Sequence, residues 1–315
     1  MEEQKAEGIK IEVKTPTVEQ PKIPFSWDKW YDKNYKLLML IPIALLLISI
    51  AYVGIFISKN GDIFNKDVTL TGGTTITVYT EKVFSAAEVE KALIGKFNDI
   101  NVRILTDVGS GKQVAFTVET KAEANDLKTA LESYLGYSLD EKNSSTEFTG
   151  TALSKSFSNE LIIALLLAFL FMSIVVFILF KTPLPCAYMI ICAFADIVVP
   201  LAVIDSVGLR ISTAGIAAFL MLVGYSVDSD ILLTTRVLKR KDDSLNKRVF
   251  GSMKTGLTMT ATSITAVFIA YLVVISPILK QVFLILTIGL ITDVITTWLL
   301  NTGLLKWYCM KRGMQ

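Results

Sequence analysis

Asp228 and Asp230 stand in Gly224-Tyr225-Ser226-Val227-Asp228-Ser229-Asp230, inside an otherwise apolar run from Ile211 to Leu233. A carboxylate at bilayer depth costs at least about 2.5–3.5 kcal/mol, so it requires a partner, a proton or water. Asp196 and Asp293 lie in two further apolar runs, and Lys254 precedes another. The chain has no histidine, which excludes His-based triads, zincin motifs and His proton relays and leaves carboxylates as the groups able to titrate in a membrane near neutral pH. Asp228, Asp230, Asp196 and Asp293 are therefore candidate ion- or proton-coupling residues. Asp228 leads, with Lys254 or Arg236 as its nearest counter-charge. At about 1.5 Å per residue, Asp196 and Asp293 lie roughly 20 Å into their spans and Asp228 about 12 Å from Arg236. Asp228 and Asp230 are about 200° apart around a helix and cannot face the same neighbour. Asp205 reads as a solvated residue at the outer interface.

The elements that position these acids are membrane helices. With 52% hydrophobic residues in 315, the chain far exceeds a soluble domain. Apolar runs at 37–58, 161–180, 184–205, 211–233, 255–275 and 282–305 are each near the roughly 20 residues needed to span the hydrocarbon core. The first is too long for a cleavable signal and has no small-x-small site after it. Small residues Ala214, Gly215, Ala217, Ala218, Gly224 and Ser226 fit the fourth span for close packing. Thr258, Thr262 and Thr265 form a hydroxyl stripe on the fifth, read as interhelical hydrogen bonding, and Asp293, Thr296 and Thr297 form another on the sixth.

Lys and Arg placement gives the orientation. Arg236, Lys239, Arg240, Lys241, Lys247, Arg248 and Lys254 follow the fourth span, whereas the adjacent loops offer Arg210 and Lys280. The basic loop and both termini are expected in the cytoplasm, with 59–159 outside. A net charge of +2 gives no case for nucleic acid. Cys186, Cys192 and Cys309 have neither disulfide nor metal spacing. No cofactor, metal site or catalytic residue is expected; without His-Glu-x-x-His or Gly-x-Gly-Asp, an intramembrane protease is not supported. The expected organisation is a tail and interfacial segment at 1–36, whose part Met1–Pro24 reads as mobile and whose Trp27, Trp30, Tyr31 and Tyr35 form an aromatic belt, then a first helix at 37–58, an external domain at 59–159, five helices over 160–306 and a tail at 307–315.

Within 59–159, strands are predicted at 68–80, 101–106, 113–119 and 144–151, and helices at 85–96 and 122–134. Ser85-Ala86-Ala87-Glu88 opens the first helix as a capping box, and Gly109-Ser110-Gly111 makes a hairpin turn. The order βαββαβ predicts a ferredoxin-like α+β domain on a six-helix membrane bundle. Gly72 and Gly73 read as permitting a bulge or close backbone approach.

Asp67-Val68-Thr69-Leu70-Thr71-Gly72-Gly73-Thr74 after the first span, the external domain, five further spans, and Gly224-Tyr225-Ser226-Val227-Asp228 followed by Thr235-Arg236 together resemble the SecF family in its archaeal form, over about 37–306. The resemblance implies a SecD partner, a place beside the Sec protein-conducting channel in the cytoplasmic membrane, unfolded preprotein as substrate and no enzymatic activity. It also implies kinship with one half of the resistance-nodulation-division transporters, so a half-exporter of small molecules is the alternative. Residue by residue, Asp196 matches the family's third-helix aspartate, and Asp228 falls where SecD carries its membrane aspartate. Asp228-Ser229 replaces the Asn-Asp of bacterial SecF, and Lys254-Thr255 replaces its Arg-Thr. The expected mechanism couples ion movement at the membrane acids to motion of the external domain.

Overall fold

A computed structural model describes residues 27–97, 99–107, 110–240 and 243–313. The expectations for Met1–Pro24, for the side chains of Trp27 and Trp30, and for Gly109 lie outside the described residues. Among the described residues, six helices are long and apolar enough to cross a membrane. The first is α1 (Trp27–Asn60). It leads into a small α+β unit made of α2 (Val68–Thr71), β1 (Gly73–Tyr79), α3 (Ala86–Leu93), β2 (Asn101–Thr106), β3 (Gln113–Thr120), α4 (Ala124–Leu135) and β4 (Ser144–Thr149). Four further spans follow as α5 (Thr151–Phe180), α6 (Pro183–Ser206), α7 (Thr213–Lys239) and α8 (Leu245–Val273). The last runs through α9 (Pro277–Ile295), a π-helical segment at Thr296–Asn301 and α10 (Thr302–Lys311). Prolines open α6 and α9, where a missing N–H leaves no hydrogen bond unmade.

The sheet runs β2-β3-β1-β4 with all neighbours antiparallel, the ferredoxin-like arrangement. Alternation divides its faces. Ile76, Val78, Phe116 and Val118 pack on Val89, Leu93, Leu127 and Leu131 of the two helices. Thr75, Thr77, Thr117, Glu119 and Arg103 line the opposite face, which closes on Ser212, Ser276 and Gln281 of the bundle around a cavity of about 100 Å³.

This junction is heavily cross-linked. Ile211 N donates to Asn65 O at 2.7 Å and Asp67 N to Ile211 O at 3.0 Å. Thr213 N donates to Thr69 Oγ1 at 3.1 Å, and Ser154 Oγ to Thr69 O at 2.7 Å. Arg103 pairs with Asp67 at 3.3 Å and with the buried Glu119, which Arg210 approaches at 3.8 Å. Burial lowers the pKa of Arg103 from its usual value, an effect that Asp67 opposes. Asp205 departs from the solvated residue expected. It is 4% exposed and accepts from Asn65 N and Nδ2 at 3.0 and 2.8 Å, so it anchors the chain leaving α1 to the end of α6.

Two local expectations need correction. Val68–Thr71 is a helical turn rather than strand, because the Asp67 carboxylate caps Thr69 N. Ser85 sits at the N-cap of α3, but its hydroxyl makes no capping bond; its carbonyl accepts from Glu88 N at 3.1 Å instead. The glycine pair is held by geometry. Gly72 has φ 84° and Gly73 φ 143°, and a Cβ would lie 2.5 Å from Thr151 Cα at Gly72 and 2.3 Å from Thr120 O at Gly73. Both obstacles are backbone, which cannot turn aside. Gly73→Val is therefore expected to destabilise the sheet domain by about 1–3 kcal/mol from backbone strain alone. Limited proteolysis of the purified chain should cut the domain several-fold faster; unchanged proteolysis and melting would leave the clash without consequence.

Candidate functional site

Asp196, Asp230 and Asp293 project from α6, α7 and α9 into the bundle and are 1%, 0% and 0% exposed. Asp196 accepts from Ser226 Oγ at 2.5 Å and Thr296 Oγ1 at 2.6 Å. Asp230 Oδ1 accepts from Asn301 Nδ2 at 2.6 Å and Thr297 Oγ1 at 3.2 Å. Asp293 Oδ1 lies 3.0 Å from the same Thr297 Oγ1, and its Oδ2 accepts from Ser229 Oγ at 3.2 Å. Every partner is neutral. The described acids and cysteines form no group able to hold a metal ion, so these three carboxyls do not share one polydentate site.

Proton counting gives the bridge its chemistry. Thr297 has one hydroxyl proton but lies between two carboxyls, so it donates to one while the other satisfies the contact only as a protonated acid donating to Thr297 Oγ1. The Asp230–Thr297–Asp293 bridge is thus complete with one carboxyl proton and short of a donor with none. The π segment holds this line together. An α-helix turns about 40° beyond a full turn every four residues, which would carry 293, 297 and 301 progressively off one face. The wider π turn, seen in Thr302 N bonding Thr297 O, brings Asn301 back to Asp230.

Asp228 is placed elsewhere. It is exposed on the outward side of α7, on one stripe with Met221, Gly224 and Tyr225. Two residues of helix separate it from Asp230 by more than half a turn, and only Asp230 joins the other acids. Neither expected counter-charge reaches Asp228. Arg236 donates to Gly251 O at 2.8 Å and Thr255 Oγ1 at 2.9 Å, tying α7 to α8, and Lys254 is exposed without an ion pair among the described residues. Gly224 meets no neighbour that a Cβ would touch, so it admits no helix of this chain. Thr258, Thr262 and Thr265 return their hydroxyls to their own helix, at Lys254 O, Met259 O and Ala261 O. Among the described residues they bond no second helix.

Comparison with known proteins places this architecture. Residues 129–311 match the family model of the protein export membrane protein SecD/SecF, C-terminal. The chain is 39% identical over 283 residues to the protein-export membrane protein SecF of Methanocaldococcus jannaschii, covering 88% of this chain and 96% of the relative. This chain belongs to the SecD/SecF family. SecF of Methanothermobacter thermautotrophicus is 37% identical, with 89% and 95% covered. The crystal structure of SecDF, a translocon-associated membrane protein from Thermus thermophilus, matches in fold with a TM-score of 0.70 at 16% identity. That match covers 88% of this chain but only 38% of SecDF, so the chain has the extent of SecF relatives and spans well under half of the Thermus protein.

Ser229 and Asn301 were not assigned a role by sequence, and Ser226 was read only as a small residue for close packing of the fourth span. The hydroxyls are ordinary helix residues in the text of the chain, and Asn301 drifts off the acidic face unless the π turn is known. Removing the shared hydroxyl isolates its effect. Thr297→Val is expected to lower stability by about 1–3 kcal/mol, since one buried carboxyl loses its donor and the other loses its acceptor. Thermal melting in detergent should recover in Thr297→Ser; equal melting of all three proteins would mean that the bridge carries no stability.

Proposed function

We propose that this multi-pass membrane protein is the SecF subunit of the Sec protein-export machinery, pairing with SecD beside the channel and assisting unfolded preproteins across the cytoplasmic membrane. The observation carrying this reading is Asp228, exposed on the bundle surface within a span and lacking a partner among the described residues. An acid facing lipid is costly, and the small residues Ala217 and Gly224 on the same side of α7 suit a closely packed helix of a second bundle. The names and lengths of the SecF relatives support export over half of a small-molecule exporter.

The mechanism that the inner acids support is ion-coupled. Gain and loss of one proton switches the Asp230–Thr297–Asp293 bridge between complete and donor-short states, and Asp196 ties the same π segment to α6. α7 carries Asp230 in its second half and begins at Ser212, on the cavity under the sheet. A change in its packing would therefore reach the external domain. The basic α7–α8 loop and both termini are assigned to the cytoplasm by the positive-inside rule, and the sheet domain to the outside.

In a background without native cysteines, Ser244→Cys is expected to label only from the cytoplasmic side and Asn101→Cys only from outside. External labelling at 244 in sealed cells would reverse the topology. Asp228→Asn is expected to reduce SecD recovered by co-purification at least several-fold, whereas Asp230→Asn should keep SecD and lose most preprotein export. If Asp228→Asn retains SecD at the wild-type level, the outward acid is not an interface residue; if Asp230→Asn exports normally, the inner acids are structural.

A further inference from the structure

The sheet domain holds a groove that neither the membrane acids nor the bundle junction uses. It has a volume of about 1140 Å³ and lies between the loop after β1, with Glu81, Val83 and Phe84, and the hairpin into β3, with Lys112 and Gln113. Tyr79, also on the groove, closes the strand that Gly73 opens beside α2, about 20 Å of extended chain away. Phe84 is anchored in the domain core, its ring 5.1 Å from that of Phe116, whereas Tyr79 is 47% and Val83 85% exposed. The apolar wall is thus fixed at its base and open at its lip.

Gln113 is the informative residue. It is 8% exposed, and its Oε1 accepts from Phe84 N at 2.9 Å, which fixes the amide. Its Nε2 is shielded from water and has no hydrogen-bond partner among the described residues. An unmet buried donor costs about 1–3 kcal/mol. The sheet register shifts between Leu105 and Thr106, the partner of Gln113, and such bulges re-aim side chains next to functional sites. What Gln113 lacks is an acceptor. Glu81 and Lys112 on the rim offset one another, so the groove selects neither an anion nor a cation, and the described acids and cysteines form no group for a metal. Small-molecule sites occupy about 300–1,000 Å³, less than this groove. An acceptor carried on an extended apolar body fits it.

We infer that this groove holds an extended apolar segment of the exported polypeptide, with a backbone carbonyl of that segment accepting from Gln113 Nε2 and its side chains against Tyr79 and Val83. The inference rests on the export reading above and gives it a contact with substrate. A carbonyl recurs at every residue, so this hydrogen bond reads no sequence, whereas a folded protein keeps its core carbonyls paired and its large apolar side chains inside. Recognition is therefore of the unfolded state. The carbonyl enters as residues 81–83 yield: among the described residues, their hydrogen bonding is confined to Lys82 N on Thr80 Oγ1 at 3.1 Å.

The test uses the detergent-purified full-length chain with the photocrosslinker p-benzoylphenylalanine in place of Val83, or of Thr129, which is exposed on α4 away from the groove. The probe is reduced, carboxymethylated α-lactalbumin, which is unfolded, beside its native form. Position 83 should cross-link to the unfolded form alone, and position 129 to neither. Val83→Asp should weaken binding of the unfolded form about ten-fold at an unchanged melting temperature. Gln113→Glu keeps the acceptor for Phe84 N but loses Nε2, and should weaken it about three-fold or more. Cross-linking at 83 no stronger than at 129, or equal affinity in the wild type and both variants, would overturn the site. Cross-linking of position 83 to co-expressed SecD in place of the unfolded chain would also overturn it, by making the groove a subunit contact. Val83→Asp should leave SecD recovery unchanged, so the subunit assignment is judged separately by co-purification.

Discussion

Three buried carboxyls with no Lys or Arg partner among the described residues set the terms for the membrane part of this protein. Hydrocarbon supplies no hydrogen bonds, so each acid must be met by donors from neighbouring helices. Ser226 and Ser229 on α7, with Thr296, Thr297 and Asn301 in the π segment, do this. Short side chains reach across only when helices are close. Gly289 permits that approach on α9: a Cβ there would lie 2.3 Å from Leu222 of α7. Packing, π geometry and polar composition are thus consequences of one demand, that no acid be left dry and unpartnered.

The same helix answers to the outer domain. α7 starts under the sheet, where the Ser212 hydroxyl caps Gly215 N at 3.2 Å and lies 2.5 Å from Gln281 Oε1 of α9. Residues 65–69 are stitched to the α6–α7 loop by backbone bonds and to α5 by Ser154. A domain attached through main-chain hydrogen bonds and an Arg103–Glu119–Arg210 ion cluster is poorly suited to swing freely on a loop. Movement between domain and bundle would have to break these bonds or carry the α6–α7 corner with it. The second course transmits force along α7 toward Asp230.

Much of this was readable in the residues, and the failures have identifiable causes. Span length and alternating hydrophobicity revealed six helices and the βαββαβ order because both are set by burial, which composition records directly. The Gly72-Gly73 pair announced a backbone constraint that its positive φ angles and two main-chain obstacles bear out. The Ser85 capping box failed since a backbone carbonyl can satisfy Glu88 N without the side chain. Asp205 was misread because interfacial depth does not reveal whether Asn65 returns to meet it. The cluster was only half legible: regular 3.6-residue spacing relates Asp293 to Thr297, but the π turn that brings in Asn301 is a property of the folded last span.

Asp228 and Asp230 illustrate why two acids in one motif need not share a task. A helix turns through more than half a circle between them, so a sequence that buries one must present the other. Asp230 meets two donors inside the bundle, while Asp228 stands exposed beside Gly224 and Tyr225. Neither position can be made apolar independently of what it faces. An inner leucine would leave the Asn301 amide and Thr297 hydroxyl without that acid, whereas an outer leucine would turn the α7 stripe into ordinary lipid-facing surface. α7 therefore has both an inner chemistry and an outer one, and any displacement that alters Asp230's contacts also moves the face on which Asp228 lies.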